Sequence, residues 1–321
     1  MASLPMRLLV PYLRLTRKPL TATAERTEAR LAAQKPVPSP PPWLLRKYRV
    51  QRHSVEGFPC YSVASRSASR PQLPPGHRDP CSTAVLYLHG GSYISPITGW
   101  HWRFIARLAA DGHRVDVPLY GLAPRFSHRD APRLLEAAYR TLLEDVEPQN
   151  VAFIGDSAGG GLALAFAQQL AALPLSQPGR LVLLSPWVDL AMENPELAAV
   201  EAEDPWLSRA GLCVAARSWA SGDSLSDPRV SPVNGRLSGL PPTDLFAGTR
   251  DLVYPDVRRL AGALTSAGTP VSLHVADGGV HVYPLLPVPE GREARKRILG
   301  LLQAEGDDPG GKAGDPLHRN P

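Results

Sequence analysis

One stretch of the chain restricts the possible folds more than any other. It reads Val-Ala-Phe-Ile-Gly-Asp-Ser-Ala-Gly-Gly-Gly over 151–161 and passes at once into the apolar run 162–167. A short apolar run that ends in glycine and continues into a longer apolar segment predicts a buried strand turning sharply into a helix. Ser157 lies at that turn. Gly155 and Gly159 are expected there because strand and helix pack backbone against backbone, which leaves no room for Cβ atoms.

A serine at such a turn is typical of a nucleophile elbow. The G-x-S-x-G pattern is weak evidence when taken alone, because glycine and serine are common residues. A nucleophilic serine also needs a base, an acid that orients the base, and donors that stabilise a negatively charged intermediate. Other parts of the chain must therefore supply these groups.

The length and composition favour a globular protein in a reducing compartment. A chain of 321 residues with 43% hydrophobic residues can bury one large core or two smaller ones. Cys60, Cys81 and Cys213 are too few and too scattered for a disulfide framework or a zinc site. Prolines interrupt the opening residues before a signal-peptide core can form, and no run approaches the length of a membrane span. We therefore expect a cytoplasmic protein.

The net charge of +5 is concentrated at the start of the chain. Residues 1–50 hold ten Lys or Arg and two Asp or Glu, a net charge of +8, which leaves −3 for the remainder. Because the excess is local, it does not indicate a nucleic-acid partner. Two interpretations of the basic amphipathic segment 6–20 stay open. It contacts an anionic membrane surface, or, as we favour, it is a helix with a polar outer face that covers an active-site mouth.

The order of apolar segments predicts a mostly parallel sheet flanked by helices. Residues 1–45 are basic, irregular up to about residue 43 and rich in proline at their end, and we expect a lead-in segment that contributes to a cap. Strand and helix patterns alternate over 46–304, except at 189–228, where we predict an insertion above the sheet. We expect the polar tail 305–321 to be disordered. The predicted strands are 46–54, 57–64, 84–88, 114–118, 151–154, 181–184, 243–247 and 271–276, and the predicted helices are 102–110, 132–144, the segment after Ser157, 254–267 and 293–304.

Three polar residues follow the ends of predicted strands. They are Ser157, Asp251 and His281, the last after a Gly-Gly loop. Because the carboxyl ends of parallel strands share one edge of the sheet, where ligands bind, we expect these side chains to meet there. Their order along the chain is that of α/β-hydrolases and differs from the orders in chymotrypsin and subtilisin. The residues therefore predict a serine nucleophile, an orienting carboxylate and an imidazole base.

A fourth strand end supplies candidate donors for an oxyanion hole. His89 is followed by Gly90 and Gly91 directly after the strand 84–88. Consecutive glycines let backbone N–H groups face a bound oxyanion without obstruction by side chains, and the N–H of Ala158 adds a third donor.

Rival residues are less suitable. His274 lies inside the strand 271–276, where a core or surface role is expected. Asp244 lies at the beginning of its strand and so at the wrong end of the sheet. Asp256 begins the next helix, where it is equally well explained by the helix dipole.

These residues together resemble a known family, the hormone-sensitive-lipase-like family of α/β-hydrolase esterases. The resemblance extends from about residue 50 to 301 and implies a carboxylic ester hydrolase with Ser157, Asp251 and His281 as the triad and the backbones of Gly90, Gly91 and Ala158 as the oxyanion hole. It also implies a cap built from the N-terminal segment and the mid-chain insertion. The motifs that carry it are His89-Gly90-Gly91, Gly155-Asp156-Ser157-Ala158-Gly159-Gly160, Ser185-Pro186-Trp187, Asp227-Pro228-Arg229-Val230-Ser231-Pro232 and Leu240-Pro241-Pro242.

Two departures from the family pattern stand out. Ser92 replaces the third glycine of His-Gly-Gly-Gly, and the usual Tyr-Arg-Leu-Ala-Pro-Glu reads Tyr-Gly-Leu-Ala-Pro-Arg over 120–125. They affect the subgroup and the local ion pairs rather than the predicted chemistry.

The main hypothesis is an esterase that uses no metal and no cofactor and forms an acyl-enzyme from small-molecule esters with short to medium acyl chains. An amidase or deacetylase of acetylated small molecules would use the same triad and stays open. A non-catalytic small-molecule receptor on the same fold is the alternative from a different class, and it is disfavoured because all three catalytic residue types are present. The sequence does not indicate the oligomeric state.

Overall fold

The computed structural model describes residues 2–33, 35, 38–66 and 83–303. The predicted disordered tail 305–321 and the segment 67–82, which includes Cys81, lie outside the described residues.

Eight strands form one sheet in the order β1-β2-β4-β3-β5-β6-β7-β8. β1 and β2 pair antiparallel at one edge and β2 pairs antiparallel with β4, whereas β4, β3 and β5 to β8 all run parallel. The predicted mostly parallel sheet is thus confirmed. The strands are β1 (Tyr48–Val55), β2 (Phe58–Ser65), β3 (Ala84–Leu88), β4 (Arg114–Pro118), β5 (Val151–Asp156), β6 (Arg180–Leu184), β7 (Thr243–Gly248) and β8 (Val271–Ala276).

Helices cover both faces of the sheet because its central strands are apolar on both sides. In β3, Leu86 belongs to the core on one face, whereas Val85 and Tyr87 belong to the core on the other. The first core includes side chains of α5, α6 and α9, and the second includes those of α4 and α10. These helices are α4 (Gly99–Ala110), α5 (Ala131–Leu143), α6 (Ala158–Leu170), α9 (Tyr254–Ser266) and α10 (Pro289–Gln303).

The N-terminal segment is helical, so the prediction that it is irregular was wrong, whereas the helix favoured for the segment 6–20 is present. It contains α1 (Leu4–Thr16), α2 (Ala24–Ala32) and α3 (Pro42–Lys47). Its prolines misled the prediction, because Pro5 and Pro42 occupy first-turn positions, where a missing N–H costs nothing. Pro11 does lie inside α1. Its lost hydrogen bond is offset by burial of Met6, Val10 and Leu13 against the core.

The segment 189–228 contains two helices, α7 (Leu197–Glu203) and α8 (Arg209–Ala220). α8 packs against α2 closely enough that a Cβ atom on Gly211 would lie 2.5 Å from the carbonyl oxygen of Thr21 and 2.7 Å from the Thr27 hydroxyl. The N-terminal segment and the insertion are therefore in direct contact.

Candidate active site

The turn after β5 holds Ser157 in an unusual backbone conformation, with φ +52° and ψ −122°. Such a conformation costs on the order of 1–3 kcal/mol in a non-glycine residue. Its surroundings enforce it: the Ser157 N–H donates to the Leu184 carbonyl at 2.8 Å, and the Ser157 carbonyl accepts from the Trp187 N–H at 2.9 Å. The turn is closed so tightly that a Cβ on Gly159 would lie 2.0 Å from the Leu88 carbonyl oxygen.

Three side chains from three strand ends form a continuous hydrogen-bonded chain. The Ser157 hydroxyl lies 2.9 Å from Nε2 of His281, and Nδ1 of His281 lies 2.9 Å from Oδ1 of Asp251. All three residues are buried. Because the carboxylate can only accept, Nδ1 carries the proton, which leaves Nε2 free to accept from the serine. The structure thus brings together the three residues predicted for the triad.

The charge around His281 favours its protonated form. Burial by itself lowers the pKa of the imidazole, but the charge of Asp251 and its hydrogen bond outweigh burial, with Asp204 and Asp156 adding to the effect. The pKa of His281 therefore lies above its usual 6.5. An imidazolium formed by proton transfer from Ser157 is stabilised by the same carboxylates.

The loop that carries His281 is fixed by groups on neighbouring strands. The N–H of Val282, the residue after His281, donates to the Ser185 hydroxyl at 2.9 Å at the end of β6. At the start of the same loop, the Gly278 N–H donates to the Thr249 hydroxyl at 2.8 Å beyond β7. The sequence singled out Ser185 only through a motif of the resemblance, and its contact with the histidine loop is visible only in three dimensions.

The predicted oxyanion residues lie directly against the serine turn. A Cβ on Gly90 would lie 2.2 Å from the Asp156 carboxylate and 3.0 Å from Cβ of Ser157. Gly91, at φ +126°, lines the same cavity as Ser157 and His281. Ala158 follows Ser157 as the first residue of α6. The three backbones predicted as donors are therefore grouped around Ser157.

His89 holds this glycine loop from behind. Nδ1 of His89 donates to the Gly90 carbonyl at 2.7 Å, and the ring stacks on Tyr120 with centroids 4.6 Å apart. Burial lowers the pKa of His89 to about 4, so its ring is neutral at physiological pH. The Tyr120 hydroxyl donates to the His89 carbonyl at 2.5 Å.

Asp156 anchors the elbow to the rest of the fold. Its carboxylate accepts from the Tyr87 hydroxyl at 2.6 Å and from Nε2 of His101 at 3.1 Å. The Thr98 N–H donates to Nδ1 of His101, so the proton on that ring sits on Nε2. Burial alone would raise the pKa of Asp156, but these two partners hold it below its usual value. The middle residue of Gly-Asp-Ser is thus a buried anion.

A second buried carboxylate, missed by the sequence analysis, lies beside the triad. Asp204 follows α7 and accepts from the N–H groups of Trp206 at 2.6 Å, Leu207 at 2.8 Å and Leu252 at 2.6 Å. Leu252 is the residue after Asp251. Burial and the charge of Asp251 raise the pKa of Asp204 to about 6. Nothing in the sequence pattern marks this aspartate, because its partner Leu252 lies 48 residues further along the chain.

The rival residues are placed elsewhere. Nε2 of His274 lies 2.8 Å from Asp244, which also pairs with Arg180 at 2.7 Å. Asp256 accepts from the Asn194 side chain at 2.8 Å.

A small cavity of about 150 Å³ opens beside Ser157. Its lining combines the site with residues of the N-terminal segment and of the insertion. Trp206 packs edge-on against His281 with ring centroids 5.9 Å apart. Further lining residues are Arg17, Leu20, Thr21, Arg30, Leu207, Leu285 and Leu286.

Comparison with known proteins places this geometry in a family. A family described as having the alpha/beta hydrolase fold matches residues 85–285. An acetyl-hydrolase of Streptomyces hygroscopicus is 37% identical over 216 residues, which cover 65% of this chain and 72% of that protein. An esterase of the bacterial hormone-sensitive lipase family is 28% identical with a TM-score of 0.75, over 95% of this chain and 99% of that one. EstE5, in a crystal soaked with p-nitrophenyl butyrate, is 25% identical with a TM-score of 0.77, over 96% and 100%.

The chain therefore belongs to the α/β-hydrolase-fold family. Within that class it is a hormone-sensitive-lipase-like esterase, an enzyme that hydrolyses carboxylic esters. The fold and the family resemblance predicted from the motifs are confirmed.

Proposed function

We propose that Ser157, His281 and Asp251 carry out ester hydrolysis through an acyl-enzyme. The observation that carries this proposal is the chain of two hydrogen bonds, each of 2.9 Å, from the Ser157 hydroxyl through His281 to Asp251. A serine hydroxyl becomes an effective nucleophile when a neighbouring base accepts its proton during attack.

In the proposed first step, Oγ of Ser157 attacks the ester carbonyl carbon while its proton passes to Nε2 of His281. The imidazolium then gives that proton to the departing alcohol oxygen, which leaves an acyl-serine. In the second step water attacks the acyl carbon and loses a proton to Nε2. The bond from that carbon to Oγ of Ser157 then breaks, the imidazolium returns its proton to Oγ, and the carboxylic acid is released. Asp251 keeps the proton on Nδ1 and stabilises the imidazolium in both steps.

We assign the backbone N–H groups of Gly90, Gly91 and Ala158 to the oxyanion hole. Each donor of this kind lowers the barrier by about 3–4 kcal/mol when it faces the developing negative charge. The close packing of Gly90 on Asp156 and Ser157 supports the assignment, because any side chain there would displace the donor loop from the serine. The chemistry uses no metal and no cofactor in this proposal.

The acyl group is proposed to be short. A cavity of about 150 Å³ accommodates a group of roughly benzene size. Acetyl and butyryl groups are smaller than this, whereas a palmitoyl chain is larger. The similarity to an acetyl-hydrolase also favours a short acyl group. Small-molecule esters of short acids are therefore the proposed substrates.

We propose that the N-terminal segment and the insertion 189–228 together form the cap. Support comes from the packing of α2 on α8 and from the contribution of both segments to the cavity beside Ser157. A cytoplasmic location is also proposed. Cys60 and Cys213 are free thiols, and burial raises the pKa of Cys60 to about 12, so that thiol is unreactive.

Hydrolysis of p-nitrophenyl esters from acetate to palmitate tests both the mechanism and the acyl preference. The wild type is expected to favour the shortest chains, and Ser157→Ala is expected to lower kcat by about 10³-fold or more. A variant that retains full activity without the Ser157 hydroxyl would contradict the mechanism. A preference for palmitate would contradict the proposed pocket size.

Matched histidine variants provide the control. His281→Ala is expected to match Ser157→Ala, because the two residues act as a unit. His274→Ala removes a partnered histidine away from the cavity and is expected to leave kcat within a fewfold of wild type. The reverse pattern would show that the base had been assigned wrongly. Anilides of the same acids, measured in parallel, distinguish esterase from amidase activity.

A further inference from the structure

Helix α1 has an apolar face directed into the protein. Met6, Val10 and Leu13 follow one another at helical spacing and are buried. They belong to the core that also contains side chains of α4 and α10. This face accounts for the position of the helix against the body of the protein.

The opposite face of α1 is apolar as well. At about 100° of rotation per residue, Leu4, Leu8 and Leu15 fall within roughly 40° of one another, with Tyr12 beside them. Leu8 is 64% exposed, Tyr12 57% and Leu15 79%. A helix that packs on a core normally turns polar side chains to solvent. In the described helix α1, the outer face is therefore largely apolar, whereas the sequence analysis favoured a polar outer face.

Positive charge borders this apolar stripe. Arg7 and Arg14 lie about two turns apart along one edge of it, and both are exposed. The chain holds no acidic residue before Glu25. The guanidinium of Arg14 donates to carbonyl oxygens at the end of α7, at 3.4 and 3.5 Å, and forms no ion pair with a carboxylate within the described part of the chain. An apolar stripe edged by arginines complements an anionic lipid surface.

The end of α1 leads to the cavity beside Ser157. Arg17 and Leu20, immediately after the helix, line that cavity together with Arg30. Burial and the neighbouring charge of Arg17 lower the pKa of Arg30, as expected where cations are crowded. A surface docked along α1 would thus lie close to a cationic entrance. None of the helices among the described residues is long and apolar enough to span a membrane, and α1 has 13 residues.

We propose that the outer face of α1, formed by Leu4, Leu8, Tyr12 and Leu15 with Arg7 and Arg14, docks on an anionic phospholipid surface. The helix lies in the interface with its leucines among the outer parts of the acyl chains and its arginines at the phosphates. The proposed docking is related to the esterase site only through the position of the cavity beside Ser157. It does not depend on which residues carry out ester hydrolysis.

Cosedimentation of the full chain with phospholipid vesicles tests the proposal. Phosphatidylcholine vesicles with and without phosphatidylglycerol are compared at low and high salt. The partition coefficient is expected to be at least about tenfold higher with phosphatidylglycerol and to fall with salt, since the arginine contribution is screened. Absence of binding to the anionic vesicles would overturn the proposal.

Variants of the stripe give the decisive comparison. Leu8→Glu combined with Leu15→Glu is expected to reduce partitioning by about tenfold or more. Leu45→Glu, the same change at a 46% exposed leucine of α3, is the matched control and is expected to bind like wild type. Arg7→Gln is expected to weaken binding by about fivefold, and only to anionic vesicles. Equal losses in the Leu45 variant and the double variant would overturn the assignment to α1.

Two further measurements separate docking from unfolding and from self-association. All variants are expected to hydrolyse a water-soluble p-nitrophenyl ester like the wild type, which shows that the protein is folded. Light scattering without vesicles gives the oligomeric state. A wild-type dimer that becomes a monomer in the Leu8→Glu/Leu15→Glu variant would assign the stripe to a second copy of the chain and overturn lipid docking. An unchanged oligomeric state is the expected result.

Discussion

His281 owes its electrostatic character to three carboxylates rather than one. Asp251 is in contact with the ring, whereas Asp204 and Asp156 act from a greater distance. Asp204 belongs to the insertion and orients the backbone of Leu252, next to Asp251. We therefore regard Asp204 as a positioning residue, which links the insertion to the proposed base.

The pH dependence of activity tests the role of Asp204. A general base must be neutral to accept a proton, so kcat/KM for p-nitrophenyl acetate is expected to rise with pH, with its midpoint above 6.5. Asp204→Asn removes one carboxylate that favours the imidazolium and is expected to move the midpoint to lower pH. The measurement is a pH–rate profile of each protein.

A buried carboxylate away from the triad serves as the control for that profile. Asp256→Asn is expected to keep the wild-type midpoint, because Asp256 is not among the main charges that raise the pKa of His281. If the Asp204→Asn variant lost activity but kept the wild-type midpoint, the role of Asp204 would be structural only.

At the scale of secondary structure, residue patterns predicted the strands well and the helices of the N-terminal segment and of 189–228 poorly. Central strands such as β3 and β6 are largely continuous apolar runs, and β8 was predicted with the bounds Val271–Ala276 that the structure has. α2, α3, α7 and α8 were not predicted, because prolines, charged residues and short lengths obscure their periodicity. These helices are stabilised by packing against other elements rather than by their own propensity.

The contact between α2 and α8 yields a prediction for paired glycines. Gly211→Ala places a Cβ 2.5 Å from the Thr21 carbonyl oxygen, and such overpacking costs about 1–3 kcal/mol. Gly262→Ala in α9 meets no atom within 4 Å and should stabilise the helix by up to about 1 kcal/mol. Thermal unfolding is therefore expected to show a lower Tm for the first variant and a higher Tm for the second. A raised Tm for both would mean that α8 separates from the N-terminal segment without cost.

For the whole molecule, buried carboxyl groups set part of the pH dependence of stability. Burial, with the charges of Asp189 and Glu196, raises the pKa of Asp256 to about 6, and one of its oxygens has no hydrogen-bond partner among the described residues. Between its ordinary pKa of 3.8 and about 6, the folded state binds more protons than the unfolded state. The free energy of unfolding therefore falls as pH rises through this range.

The Asp256→Asn substitution is expected to reduce this decrease in the free energy of unfolding. Between about pH 4 and pH 7, the wild type should lose on the order of 1–3 kcal/mol more stability than the variant, because asparagine does not ionise. Urea unfolding at both pH values measures the difference. Asp130→Asn, at a surface position, is the control, and a slope for Asp256→Asn that matches this control would contradict the prediction.

The sequence by itself determined the class of the fold, the family resemblance and the three residues proposed as the triad. It could do so because continuous apolar strands define a parallel sheet, and residues just beyond such strands share one edge. The tertiary structure decided what surrounds Ser157: the buried Asp204, the contact of Ser185 with the histidine loop, and a cavity of about 150 Å³. The tertiary structure also showed that α1 has a second apolar face, which is exposed to solvent. These features arise from packing between segments far apart in the chain, which no local pattern of residue types encodes.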